Sequence, residues 1–346
     1  MKPILKIINP LSEPQWDELV LANEQASFFH SAVWARCLAE TNGYKPVYFA
    51  GIENGKLETL IPMMEVRSGL TGRRGVSLPF TDYSDPVLAE GMDFGNILEQ
   101  IIAHGKRSAW KVLELRDGRG DQTVFDPSYM YYGHSLDLRP GEDAIYCNFK
   151  ANTKRNIKKA FKEGVTVCLS NSFESVRKFY DLNCKTCKKH GLPPQPFRFF
   201  ANLHRHAIFH NHGIVALGFH KSNVVAAAIF LHFGKKAIYK YGASDPAYLS
   251  LRPNNLVMWE AIRNYARKQY QCFCFGKTDP ENLGLRRFKQ GWGTEEHKIF
   301  YYKHDIKSMT FVKEKSHFSG ILTRIFKKAP ISILRMIGTL MYRHIG

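Results

Sequence analysis

The sequence predicts an α/β protein built as a duplicated unit, and three observations carry that prediction. Two apolar strands flank Glu53-Asn54-Gly55 within residues 47–64, and the same layout returns around Lys221-Ser222-Asn223 within residues 215–233, an offset of 168. Asn-Gly is a strong hairpin signal, because both residues tolerate the positive φ that a tight turn between strands demands. Each hairpin is followed by a helical pattern and then a strand: residues 97–104 before 110–115, and 256–268 before 272–275. A repeated order of hairpin, helix and strand favours a duplicated α/β unit over one long sheet. The chain has 346 residues and 44% hydrophobic content, enough for two substantial cores.

Taken in order, Ile4, Leu5, Ile7 and Ile8 are interrupted by Lys6 and stopped by Pro10, which is no secretory signal. No run approaches the ~20 apolar residues that a bilayer crossing needs. A cytoplasmic chain is expected. Residues 150–162 hold Lys150, Lys154, Arg155, Lys158, Lys159 and Lys162. Thr153 is the predicted N-cap there, with Lys154, Lys158 and Lys162 along one side and Ile157, Ala160 and Phe161 toward the core. Arg155 belongs to this basic helix, which suits either an anionic ligand or a solvated surface. Asn171 and Glu174 give a capping-box signal for a helix that repeats Val176, Tyr180, Cys184 and Cys187 and ends at Gly191. Cys184 and Cys187 have metal-ligand spacing, and Cys272 with Cys274 offers a second pair, but both sit in apolar-periodic segments, so buried thiols are the reading and no metal is expected. Seven cysteines, an odd number, fit a reducing compartment.

Pro253 opens a helix whose Leu256, Trp259, Ile262 and Ala266 recur at steps of three and four. A short strand, Cys272 to Phe275, follows and stops at Gly276, so Lys277 and Asp279 leave the sheet at a carboxyl end, where α/β proteins gather ligands. Lys289 is then followed by Gly291 and Gly293 around Trp292. The glycines allow backbone to approach a ligand, or form a turn beneath an aromatic lid.

Charge divides the chain. Residues 1–150 carry 15 Lys+Arg against 20 Asp+Glu, a net of −5, while residues 151–346 carry 34 against 11, a net of +23. The second half is therefore suited to RNA, a nucleotide-linked substrate or an anionic membrane. Residues 316–346 hold five Lys+Arg and no acid among many apolar residues, the composition of an interfacial helix pair hinged at Pro330. Packing on the domains explains those apolar residues equally well. A chain peripheral at the inner face of the membrane is the corresponding expectation.

The order Phe-Gly-Lys-Thr, Gly-Leu, Phe-Lys, Gly-Trp-Gly within residues 275–293 resembles the end of the catalytic region in FemABX-like peptidyltransferases and their GNAT-like acyltransferase relatives. Residues 78–86 (LPFTDYSDP), 149–165 and 239–262 fall in the matching order. The resemblance covers roughly residues 5–305 and implies tandem GNAT-like domains with mixed central sheets: residues 1–145, then 146–306 beginning with the basic helix, with 307–346 as a basic amphipathic tail. It implies an acyltransferase that moves an acyl or aminoacyl group to an amine, with no tightly bound cofactor. The donor would be charged tRNA or acyl-CoA, and the acceptor an amine-bearing sugar or peptide precursor of the cell wall or a surface polysaccharide.

Lys289 matches the lysine of the family's Phe-Lys motif and is the candidate for stabilising the developing oxyanion, with a donor phosphate as its other possible partner. Asp82 is the candidate to take the amine proton. Tyr83, Tyr239 and Tyr241 fall in segments resembling substrate-lining tyrosines. Tyr239 and Tyr241 alternate onto one face of a strand and suit a core role as well as a binding one. Arg252 could meet a phosphate or carboxylate, and Asn254 either binds substrate or caps its helix. The Arg/Gln-x-x-Gly-x-Gly/Ala loop that cradles acyl-CoA in ordinary GNAT enzymes has no match, which favours aminoacyl-tRNA, and a long helical arm is missing, which counts against a strictly peptidoglycan-bridge acceptor. An acyl-CoA-dependent N-acyltransferase and a non-catalytic RNA- or membrane-binding adaptor are the alternatives.

Overall fold

The computed structural model describes residues 5–117, 126–313 and 320–345. Residue 4 and the first residues of the predicted tail, 316–319, lie outside the described residues. Two compact units divide the chain: unit 1 is Met1–Tyr132, His297–Ser316 and Met341–Gly346, and unit 2 is Gly133–Glu296 and His317–Leu340.

Unit 1 opens with β1 (Lys6–Ile8), α1 (Trp16–Leu21) and α2 (Ala32–Asn42), followed by β2 (Lys45–Pro46), β3 (Tyr48–Glu53) and β4 (Lys56–Ile61). The hairpin β3–β4 turns at Asn54 and Gly55, with φ of 49° and 75°, as the sequence requires. Next come β5 (Met64–Ser68), β6 (Gly72–Val76), β7 (Val87–Leu88), α3 (Phe94–Arg107) and β8 (Val112–Asp117). Asp93 caps α3 by accepting from the Gly95 N–H. One sheet has the order β1-β3-β4-β7. In the other, β6 runs parallel to β8 across α3, β5 joins the far side of β6 and pairs β2, and Val112–Asp117 pairs antiparallel with Phe300–Asp305. Ile97, Ile101, Trp110, Leu113 and Met63 form the core between α3 and these strands.

Unit 2 begins within β9 (Tyr129–Asp137) and continues through α4 (Glu142–Asn148), α5 (Ala151–Lys162), β10 (Val165–Ser170), α6 (Phe173–His190) and α7 (Phe197–Leu203). The hairpin β11 (Gly213–His220) and β12 (Asn223–Phe233) precedes β13 (Lys236–Ser244), α8 (Pro253–Arg267), β14 (Cys272–Cys274) and α9 (Leu283–Gln290). The chain ends with β15 (Glu295–Asp305), β16 (Thr310–Phe311), α10 (Gly320–Lys328) and α11 (Ile331–Ile345). The unit 2 sheet runs β10-β11-β12-β13-β14-β9, antiparallel except for the β13–β14 pair that α8 connects. Both units therefore contain a mixed sheet with one parallel crossover, as the α/β prediction requires.

Two predicted helix starts shift. Thr153 is the third residue of α5 and is buried; Lys150 is the N-cap, its N–H held by the Gly291 carbonyl at 3.0 Å. That start turns Thr153, Ile157 and Ala160 inward and leaves Phe161 outside, 75% exposed, against expectation. α6 is capped by Ser172, which accepts from Ser175, one residue later than predicted; it ends at Gly191 with φ 69°, the predicted residue. Cys184 is buried among its core positions, where desolvation raises the thiol above its ordinary range.

Candidate active site

In unit 2 the parallel strands part. β14 pairs with β13 only over Lys236–Ile238, whereas β13 runs on to Ser244 before the chain turns into α8. The carboxyl ends of these strands and the start of α8 thus lie at one end of the sheet, the usual place for a ligand in a βαβ crossover.

The chain leaves β14 through Phe275, whose N–H reaches the His134 carbonyl at 2.9 Å, and then Gly276, whose φ of 67° suits a residue without Cβ. The turn that follows is made by Asp279, which accepts from the Glu281 N–H, and by Asn282, which caps α9 by accepting from Leu285. α9 then carries Lys289 back to the strand end. Lys289 is 2% exposed, and its Nζ donates to the Gly276 and Lys277 carbonyls, both at 2.9 Å. A buried ammonium requires such partners, and here they fix the corner that follows β14. Lys277 itself is half-buried, and Thr278 beside it is buried.

A second set of bonds holds α9 from its other side. Glu296 accepts from Arg286 through both oxygens, from Gln290 at 3.0 Å and lies 3.0 Å from His134 Nε2. The Arg286 hydrogen bond keeps this carboxyl below the ordinary carboxylate range, with Gln290 and His134 adding to the effect. None of these groups was singled out in the sequence.

The glycines serve packing. A Cβ on Gly291 would lie 2.4 Å from Thr153 Oγ1, and one on Gly293 would lie 3.1 Å from the Asn148 carbonyl. Both thus admit the α4–α5 segment, and Trp292 is fully buried between Phe149, Phe288 and Phe275, a core residue rather than a lid over a turn, the second of the two readings of the glycine pair. The same contacts join α5 to the β14 corner. Arg155 is exposed on that helix and donates to Asn152 at 2.7 Å.

Tyr239 and Tyr241 do not share a face. Ile229 pairs with Tyr241 and Phe230 with Tyr239, so Lys240 is an extra residue in a bulge and the alternation breaks. Tyr239 packs on Phe230, 5.6 Å between centroids, on the α8 side, and burial pushes its phenol up to about 12. Tyr241 packs against Phe179, Phe199 and Phe200 of α6 and α7. Arg252 is exposed, has φ 59° and is the N-cap of α8, with Pro253 first in the helix; Asn254 follows as the second helical residue and is not the cap.

Asp82 and Tyr83 belong to unit 1, in the segment after β6. Leu78 and Phe80 there take φ of 56° and 63°, a left-handed backbone that side chains disfavour. Arg116 donates to the carbonyls of Leu78 (3.1 Å) and Thr81 (3.3 Å), and Tyr301 donates to those of Thr81 and Asp82, the latter at 2.8 Å. The Arg116 guanidinium also stacks over the Tyr301 ring and pairs with Glu114. Asp82 and Tyr83 are half-exposed on this braced loop, with Tyr83 edge-on to Phe29 and His297. The available signal for Arg116 was an arginine between Leu115 and Asp117 at the end of a strand that also carries Glu114.

A family model for an acetyltransferase (GNAT) domain matches residues 148–298. Among solved structures, FemX superposes with a TM-score of 0.67 at 13% identity, covering 86% of this chain and 96% of its own. A tandem GNAT protein from the clavulanic acid biosynthesis pathway gives 0.55 at 10% identity, covering 88% and 98%. N-myristoyltransferase of Saccharomyces cerevisiae gives 0.51 at 11%, covering 87% and 80%. No curated protein matches the sequence. At such identities the likeness concerns the fold, and with the domain match it gives the conclusion that this chain has a FemABX-like GNAT acyltransferase fold, its GNAT domain spanning residues 148–298.

Proposed function

We propose that the protein transfers an acyl or aminoacyl group from an activated ester or thioester to an amine on a cell-wall or surface-polysaccharide precursor. The observation that carries this reading is the Lys289 corner: a buried cation fixed at the open end of a parted parallel pair, inside the GNAT domain. The neutral amine attacks the carbonyl carbon, a C–N bond forms, and the carbonyl oxygen takes up negative charge. Lys289 supplies positive charge at the strand end, already oriented by two carbonyls, so little reorganisation is needed when the oxyanion develops. The proton lost by the amine passes to solvent, and the tetrahedral intermediate collapses as the ribose oxygen or the thiolate departs and is protonated. Alignment of two bound reactants contributes about 7–11 kcal/mol in such reactions, so no nucleophilic side chain is required.

The FemABX-like order of motifs within residues 275–293 supports the aminoacyl side of this reading, and the likeness to an N-myristoyltransferase solved with bound myristoyl-CoA supports the thioester side. Arg155 on α5 and Arg252 at the start of α8 are the proposed partners of donor phosphates, and the β13 edge beyond Ile238 is the proposed channel for the acyl chain. The test is transfer with a mixed pool of charged tRNA beside acetyl-CoA and longer acyl-CoA, over a panel of amine acceptors. Acceptor-dependent loss of the tRNA ester is the expected result. Thioester turnover alone assigns the acyl-CoA-dependent reading, and inertness toward every donor and acceptor overturns the proposal.

A further inference from the structure

The C-terminal helices have two unlike faces. Inward, Phe326 and Leu334 are buried, Gly191 admits the Thr323 carbonyl, Gly338 admits the Pro194 carbonyl, and the Arg335 guanidinium stacks over Tyr180 of α6. Residues 320–340 are therefore seated on unit 2, and the expectation that the tail packs on a domain holds for this face. Outward, Leu322 and Ile325 of α10 and Ile333, Met336 and Leu340 of α11 are exposed, Met336 to 59% and Leu340 to 62%. At 100° per residue, Ile333, Met336 and Leu340 fall within about 60° of one another, a stripe along one side of α11. Single exposed apolar residues are ordinary; a helical stripe on α11 beside further exposed apolar residues on α10 is an interaction surface.

We infer that this face docks on an anionic lipid bilayer. Arg324, Lys327 and Lys328 are exposed on α10, and residues 316–346 contain no acid. A second copy of the chain would bring the same cations together, whereas an anionic surface complements them. Among the described residues no helix is long and apolar enough to cross a membrane. The helices lie in the interface, with the stripe at the acyl boundary and the cations at the headgroups. This inference is independent of the transfer reaction.

The test is sedimentation of the full chain with vesicles of phosphatidylcholine containing phosphatidylglycerol, against phosphatidylcholine alone. The chain should bind the anionic vesicles and leave the neutral ones, and Lys327→Gln with Lys328→Gln should weaken binding on the order of thirtyfold. Leu340→Asp should weaken it at least about tenfold while the thermal midpoint stays unchanged, since the side chain is exposed. As a check free of any loss of folding, the indole introduced by Met336→Trp should emit at shorter wavelength on vesicle addition and be quenched by brominated acyl chains. Equal binding to both vesicle types, no binding, or an indole emission that does not respond would overturn the inference. So would concentration-dependent dimers that Leu340→Asp abolishes without any vesicle binding, because a second copy would then be the occupant.

Discussion

One experiment separates the structural tie that Lys289 makes from its proposed catalytic role. Its Nζ bonds to the Gly276 and Lys277 carbonyls, so Lys289→Met removes two donors from a buried corner and should cost roughly 1–3 kcal/mol of stability. If its charge also stabilises the oxyanion, turnover should fall by roughly 10²–10³ with the donor's binding little changed. Urea unfolding measures the first quantity and single-turnover kinetics the second. A destabilised variant with unaltered kcat would leave Lys289 as a structural tie alone. The sequence offered the residue type and the motif, but its burial depends on carbonyls that α9 brings within reach only after the chain has turned through Asp279 and Asn282.

At the scale of elements, α9 is held by Glu296, and that anchor titrates. Arg286 lowers the carboxyl's folded value below the ordinary ~4.3, so its contribution is complete above that pH and is lost as pH falls through the lower folded value. Glu296→Gln should therefore flatten the acid limb of stability, read as thermal midpoint from about pH 7 to about pH 3. An acid limb identical in the two proteins would show that the pair with Arg286 does not couple to folding. Elements themselves were legible where local chemistry decides them: Asn54-Gly55 turns a hairpin, Pro253 starts α8, and Gly191 stops α6. The parity of Tyr239 and Tyr241 was not, because the bulge at Lys240 is set by pairing with β12, a partner the strand's own residues do not name. Arg116 and Tyr301 were missed for a like reason, since each acts on carbonyls of a loop far away in sequence.

For the whole molecule, charge gives the sharpest prediction about the donor. Residues 151–346 carry a net of +23, and on α5 Arg155, Lys158, Lys159 and Lys162 are exposed. An RNA donor that lays about four phosphates on such a surface displaces counterions, and its binding constant should fall with salt at a log–log slope of about −3. Lys158→Gln with Lys159→Gln should make that slope shallower by about 1.5, weakening charged and uncharged tRNA alike, because phosphate contacts carry no information about the aminoacyl group. A CoA donor has few phosphates, so its slope would be shallow and nearly indifferent to those two lysines. Fluorescence titration across a salt series, with intact tRNA and with acyl-CoA, distinguishes the cases: a steep slope that the α5 variants relax identifies the basic face as the RNA surface, and a steep slope they leave untouched moves that surface elsewhere in the second half of the chain.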